Sequence, residues 1–552
     1  MPRTYEGVQS RLAPPMRELA TVGEALETAA DLWHDRPYLT YAETGETATF
    51  AEVNGRVSDV AAALADVGVS AGDRVGLYLT NGPAFVESIY ACSRLGAVET
   101  PINWQYRERE VRHAVESAGI DTVVLEASDD LVDVFVAVAD DLDVLETVVA
   151  TGEHRFGDLE ALATVDAHRL EDLIAGDPSP PATPEVGYED PVAILYTSGT
   201  TGLPKPTVLS NKSFLLGAKS FLGMPLADDD TNYNPYPLFH ANNQVYSMLG
   251  SAIHGSEYVL ADAFSTSAFM DHVLDHGVTS FNIIGGVPKM LDAAFDADEV
   301  PENPLEWAVG PIATGVWEAF EAKFDLDVLQ LYSQTESLTV LANHPDPDAV
   351  KVGAIGQPMF PDLGHEAWVE DEDGTHLPPG EEGELVRSDP GAMIEYRGQP
   401  EKTRETLRDG NIYSGDVVYT DEDGYVYYVD RKKFMIRRSG ENISAQQVED
   451  VIDEIPGVAE SAVIPVPHDV RGEEVKAMVM RRAESVTERD VVDQVADTLA
   501  AYKVPRYVEF VDEFPRTPTE RIKRVTLADA EEDRDDHGWD REEAYPDWAE
   551  HA

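Results

Sequence analysis

A chain of 552 residues, 43% of them apolar, is too long for one hydrophobic core and predicts two or more domains. Lys plus Arg number 41 against 104 Asp plus Glu, and the resulting net charge of −63 argues against nucleic acid and anionic membrane surfaces, which both demand a positive face. The single cysteine, Cys92, excludes an intramolecular disulfide framework and a cysteine metal site.

Self-repulsion on this scale destabilises a compact state unless it is screened, and concentrated salt shortens the screening length to a few ångströms. The composition is therefore that expected in a salt-accumulating cytoplasm. The N-terminus shows no basic-then-apolar leader, and no apolar run approaches the roughly 20 residues of a membrane span, so a soluble, cytoplasmic protein is expected.

The first hundred residues alternate helix and strand signals. TVGEALETAADLW is amphipathic, RVGLYL reads as a buried strand, and FVESIYACSRLGAV reads as a helix holding Cys92 as a small apolar residue. TVVLEA and ETVVAT are further short strands suited to a parallel sheet. Alternation of this kind argues for α/β layers. The stretch Gly176 to Pro191 is Pro-rich and aperiodic and reads as a semi-rigid connector.

After the connector comes Ile194-Leu195-Tyr196-Thr197-Ser198-Gly199-Thr200-Thr201-Gly202-Leu203-Pro204-Lys205. An apolar run feeds a loop with four hydroxyl side chains, two glycines and a terminal lysine, the composition needed to wrap a polyphosphate. Alone, such a loop is also an ordinary polar turn after a strand. The Walker pattern is excluded, because it needs GK followed by Ser or Thr and here Pro206 follows Lys205.

YTSGTTGLPK resembles the phosphate-loop signature of the adenylate-forming enzymes, the superfamily of acyl-CoA synthetases, firefly-type luciferases and adenylation domains. The resemblance spans residues 20 to 527 and continues in order. PLFH places His240 beside an acyl pocket, and a strand is expected to end at Val287-Pro288. Ala308 to Ile312 stand where relatives carry an adenine platform, with Gly310 and Pro311 fitting a backbone-lined slot. QLYSQTE resembles the YGxTE signature. There Tyr332 would pack on adenine, Thr335 would meet the α-phosphate, and Glu336 would hold Mg²⁺, roles that suit an aromatic face, a hydroxyl and a carboxylate.

Further on, the resemblance gives Asp416 to the ribose hydroxyls, Arg431 to the nucleotide, and Lys433 to an interdomain hinge. Gly440 and Glu441 of GENI lie in the strand-turn beside which CoA enters. An Asp423-Gly424 hairpin turn is expected between alternating strands just before the hinge. Relatives end in PTGK, where this chain has Pro518-Thr519-Glu520-Arg521-Ile522-Lys523. Arg521 stands in the lysine register and Lys523 lies two residues on; Lys523 is the slightly favoured choice for the chemistry and Arg521 for phosphate contact.

The implied fold is α/β, with a large N-terminal domain (1–432) of layered β-sheets flanked by helices and a small mobile C-terminal α+β domain (433–528). From Asp529 onward eleven acidic and two basic residues form a tail expected to be disordered. The implied activity is an ATP-dependent acid:CoA ligase that uses ATP, Mg²⁺ and CoA, forms an acyl-adenylate and then a thioester. Two alternatives stand beside it: another acceptor such as a free-standing carrier protein, and a non-catalytic nucleotide- or acyl-binding relative. The FHANNQ and DRKKFMIRRSGENIS strings look most like the carnitine/crotonobetaine-type ligases. A homodimer is left open.

Overall fold

Capping boxes start the early helices. Thr21 with Glu24 opens Val22–Trp33, and Thr49 with Glu52 opens Phe50–Asp66, each pair satisfying backbone donors that a helix start leaves free. The helix Pro83–Leu95 begins with proline and ends at Gly96, whose φ of 69° and close approach to Val186 leave no room for a side chain. Cys92 is fully buried in this helix, as its flanks predict. The computed structural model describes residues 4–179, 181, 184–197, 203–221, 230–297, 300–344, 346, 349–438, 441–468, 470–517, 520–532, 534 and 537–545.

Three sheets build the large domain. One is 8-stranded, in the order Glu395–Tyr396, Lys205–Ser210, Pro191–Thr197, Val98–Pro101, Arg74–Tyr78, Thr122–Glu126, Thr147–Thr151 and Asp166–Arg169. Its strands from Pro191–Thr197 to Asp166–Arg169 are parallel, as the buried apolar runs imply, and the other two pairings are antiparallel. The second is 7-stranded, in the order Asp327–Leu329, Trp307–Val309, Ser280–Asn282, Thr231–Asn234, Glu257–Leu260, Pro37–Tyr41 and Glu46–Thr49, with only the last pair antiparallel. Helices Val22–Trp33, Phe50–Asp66 and Pro83–Leu95 contribute to a common core between these two sheets. The third sheet, from Leu331–Gln334 to Glu366–Glu370, is antiparallel throughout.

The strand expected to end at Val287-Pro288 ends earlier, at Asn282. Val287 and Pro288 instead open the helix Val287–Ala294, where the fixed φ of proline is favourable and its missing N–H costs nothing. The segment after His240 is helical, and its first eight residues, Asn242–Leu249, form a π-helix before an ordinary turn at Gly250–His254.

The fourth sheet has its own core, with Val448, Ile452, Val463, Val475, Val491 and Val508 among its buried members. Its strands are Glu441–Ile443, Ile436–Arg438, Val458–His468, Gly472–Arg481, Tyr507–Val511 and Trp539–Asp540. The last of these corrects the expectation of a disordered tail. Trp539–Asp540 pairs antiparallel with Tyr507 and Val508, and Arg541 is buried with its guanidinium donating to the Val504 carbonyl at 3.0 Å. Counting charges along the tail missed the cations it meets: the fully buried Lys476 lies 2.8 Å from Glu531, and Arg506 lies 3.0 Å from Asp540. No helix among the described residues is long and apolar enough to cross a membrane.

Candidate active site

Thr197 and Lys205 face each other across the antiparallel pair that carries the phosphate-type loop. Ser198, Gly199, Thr200, Thr201 and Gly202 lie outside the described residues. Thr197 Oγ1 is buried and has no hydrogen-bond partner among the described residues, so the hydroxyl is left to serve something else. Opposite stands a two-residue turn, Thr335-Glu336, closing the hairpin in which Gln334 pairs with Ser337. Tyr396 donates its hydroxyl to Glu336 Oε1 at 2.5 Å, and Lys205 Nζ lies 4.0 Å from the same oxygen and 3.9 Å from the Tyr396 ring centroid. Burial pulls the Lys205 ammonium below its usual pKa, with Glu336 opposing the shift.

The donor set here suits Mg²⁺ held between phosphates. Among the described residues no three His, Cys, Asp or Glu side chains cluster into a self-sufficient metal cage. Mg²⁺ needs none, because it keeps water and phosphate oxygens and takes one or two carboxylates from the protein. Glu336, beside Lys205 and Tyr396, is a carboxylate that would fit that role.

Asp416 lies beside the strand of the same hairpin that carries Tyr332 and Gln334. Its carboxylate is buried at 1% exposure and accepts from the Tyr332 hydroxyl at 2.5 Å and from Gln334 Nε2 at 3.1 Å, both on Oδ2. Arg431 Nε sits 2.6 Å from Oδ1, yet Oδ1 makes no aligned hydrogen bond, so this contact is ionic and leaves lone pairs on Oδ1 for hydroxyl donors. Burial is the largest influence on Asp416 and raises its pKa, while Arg431 pulls the other way. At the end of Trp307–Val309, Gly310 adopts a φ of 144°, and a Cβ there would stand 2.0 Å from the Ile283 carbonyl oxygen. Only glycine fits, and Pro311 beside it is half-buried.

His240 follows the carboxyl end of Thr231–Asn234 and packs at a tilt against Phe239, with ring centroids 4.6 Å apart. The ring as a whole is partly exposed, but Nε2 is sealed and unpartnered, and burial pushes the imidazole pKa down to about 4. The ring is neutral at pH 7. Arg521 acts on its charge state, as it does on Tyr236 and Asp416.

The two C-terminal cations part company. Arg516 is bridged to Ile522, Thr517 N–H donates to the Arg521 carbonyl at 2.8 Å, and Glu520 turns at a φ of 59°. The turn brings the Glu520 carbonyl against Gly286 and sets Arg521 among Arg431, Tyr428, Asp416 and Tyr236. Arg521 is exposed as a residue, but desolvation of its guanidinium among these groups lowers its pKa, with Arg431 adding to the effect. Lys523 stands just before the helix Arg524–Glu532, exposed and without an ion pair among the described residues. Pro518 and Thr519 are outside the described residues.

Lys433 lies in a short 3₁₀ turn, Lys432–Phe434, between the last strand of the third sheet and the fourth sheet, with its ammonium 4.8 Å from the Phe434 ring centroid. Around this turn Ser444 Oγ donates to the Val429 carbonyl at 3.0 Å, and Arg524 lies 3.8 Å from Asp430. Lys289 and Asp453 form a further ion pair between the domains. Gly440 is outside the described residues, and Glu441 is exposed in the strand Glu441–Ile443, paired with Arg438. Sequence reasoning passed over Tyr396 and Gln334. Both stand inside or beside a motif, but only their cross-strand placement turns them toward Glu336 and Asp416.

The carboxyl ends of parallel strands, a glycine slot, and paired anionic and cationic groups around one cleft define a nucleotide-dependent enzyme of the adenylate-forming class. The AMP-binding enzyme family model matches residues 26–397 and its C-terminal domain model matches residues 447–521, and the chain belongs to this family. It is 34% identical to a feruloyl-CoA synthase of Amycolatopsis sp, over 88% of this chain and 94% of that one. It is 32% identical to the fatty acid–[acyl-carrier-protein] ligase ScoC of Streptomyces coeruleorubidus, over 88% and 92%. The crystal structure of ATP-bound MatB from Rhodopseudomonas palustris superposes with a TM-score of 0.81 at 26% identity, covering 93% of this chain and 99% of that one. The protein is an AMP-forming acid–CoA ligase, taking ATP, Mg²⁺, a carboxylic acid and CoA.

Proposed function

We propose that one cleft carries both half-reactions and that the residues assembled above divide the work. A carboxylate is a poor electrophile because it is charged and would have to expel oxide. Attack of its oxygen on the α-phosphorus of ATP forms the acyl–phosphate bond and breaks the α–β bridge, releasing pyrophosphate. The thiol of CoA, losing its proton, then attacks the acyl carbon and AMP leaves. Lys205 and the loop from Thr197 to Gly202 hold the β- and γ-phosphates, Thr335 meets the α-phosphate, and Glu336 holds Mg²⁺, which offsets charge on the phosphates. Tyr332, Gly310 and Pro311 frame adenine, and Asp416, fixed by Arg431, takes the ribose hydroxyls. His240 walls the acyl site, and Gly440 and Glu441 border CoA entry. Arg521 takes the role first favoured for Lys523. The observation that carries this reading is that one hairpin sets Tyr332 and Gln334 on the Asp416 carboxylate and, at its turn, Glu336 against Tyr396 and Lys205, so groups suited to a nucleoside and to phosphates meet.

Acid-dependent exchange of pyrophosphate into ATP tests it. Glu336→Ala is expected to lower exchange about 10²-fold and Lys205→Ala about 10-fold or more, because each removes charge aimed at the phosphates. Wild-type protein that exchanges with no acid of a broad panel in molar salt would overturn the assignment.

We also place the hinge at Lys433, supported by its position in a three-residue turn between two separately cored sheets. Lys433→Pro is expected to spare adenylation and slow thioester formation about tenfold. Equal loss in both half-reactions would point to misfolding. A carrier-protein thiol is the second reading for the acceptor, supported by the likeness to ScoC and opposed by an acidic surface that repels acidic carriers. We assign the enzyme to the cytoplasm, where ATP and CoA are available.

A further inference from the structure

Under the π-helix Asn242–Leu249 runs a stripe of small polar side chains. Asn232 and Asn234 lie on one strand and Ser280 and Asn282 on its neighbour, all buried. Their amide orientations follow from one fixed point. The Tyr236 backbone N–H donates to Asn234 Oδ1 at 2.9 Å, so Asn234 must present its nitrogen to Asn242 Oδ1 at 3.0 Å and to Ser247 Oγ at 2.8 Å. Asn282 Nδ2 donates to the same Asn242 oxygen at 2.9 Å. Two donors therefore hold the oxygen of Asn242. Its Nδ2, on a partly exposed residue two positions after His240, has no acceptor among the described residues. Asn282 Oδ1, fully buried beside it, has no donor.

A buried amide oxygen without a donor is costly, and the amide of Asn242, bonded to Asn282 Nδ2, stands next to it with a free N–H at a partly exposed position. One donor and one acceptor side by side, with no carboxylate, ammonium or guanidinium in the cluster, match a neutral hydroxyl. We propose that the acid activated by this ligase carries a hydroxyl group, which accepts from Asn242 Nδ2 and donates to Asn282 Oδ1. The inference deepens the ligase reading and rests on it. A purely apolar chain would leave the buried Asn282 oxygen without a donor.

The test is binding rather than turnover, so that it stands apart from activity. Acyl-sulfamoyl adenosines, stable mimics of the acyl-adenylate, are titrated calorimetrically in matched pairs: 3-hydroxybutanoyl against butanoyl, 6-hydroxyhexanoyl against hexanoyl, and 4-hydroxybenzoyl against benzoyl. At least one hydroxylated member is expected to bind about tenfold or more tightly than its partner. Asn242→Leu should bring that ratio close to one, and Asn242→Ala should do the same without added bulk; unchanged melting curves confirm that each variant folds. Pairs that all bind within twofold, a ratio untouched in both variants, or tightest binding by sulfoacetyl or trimethylammonio mimics would overturn the hydroxyl inference while leaving the adenylate site standing. Failure of every mimic to bind would overturn the adenylate site and this inference with it.

Discussion

Arg521→Ala is expected to lower acid-dependent pyrophosphate exchange about 10²- to 10³-fold, the loss typical when a charge aimed at a developing anion is removed. Thioester formation from preformed acyl-adenylate should fall only a few-fold, because by then the phosphate chemistry is complete and, on the proposed hinge, the small domain would have turned away. Lys523→Ala should alter neither step by more than about twofold, since it removes no ion pair found among the described residues. Arg521→Lys is informative as well. It should restore only part of the exchange, because the compact ammonium keeps the charge but not the reach of the longer planar fork. Normal exchange in the Arg521→Ala, Lys523→Ala double variant would eliminate both assignments.

The second large effect is on stability. Raising KCl from millimolar to molar is expected to lift the melting temperature by about 10 °C or more, because the net charge of −63 repels itself across a Debye length of roughly 30 Å in dilute salt and about 3 Å at 1 M. A few kcal/mol of relieved repulsion is enough for this shift at roughly 2–4 °C each. Salt will weaken exposed pairs such as Arg112–Asp141 without touching the balance much, since these contribute little. A melting temperature that does not move between the two conditions would count against the whole interpretation of the composition.

The layered fold was legible because its signals are local. The runs RVGLYL, TVVLEA and ETVVAT are strands Arg74–Tyr78, Thr122–Glu126 and Thr147–Thr151, and the last two pair in parallel as expected. The Asp-Gly turn also stands where alternation placed it: Gly424 has a φ of 79°, and Asp421 Oδ1 accepts from the Asp423 and Tyr425 N–H groups between the strands Asn411–Thr420 and Val426–Arg431. Charge and register across distant segments were less readable. Arg521 and Lys523 would share a side only in an extended segment, and the turn with Glu520 in left-handed conformation followed by a helix at Arg524 breaks that alternation. Val287-Pro288 reads as the end of an apolar strand because a proline start to a helix and a proline stop to a strand look alike in one dimension. The polar stripe under His240 is invisible from sequence, because Asn234, Asn242 and Asn282 meet only once two parallel strands and a π-helix are stacked.

The short strand at Trp539–Asp540 bears on how these molecules coexist. In dilute solution their negative charge alone would hold them apart, but molar salt removes that protection at distances beyond a few ångströms. An open edge on Tyr507–Val511 would then be free to recruit a strand from a neighbouring chain, the usual beginning of aggregation. Trp539–Asp540 occupies the start of that edge, and Arg534 reaches Glu509 further along it at 3.1 Å. The acidic tail thus guards against self-association by geometry in the one condition where its charge no longer can.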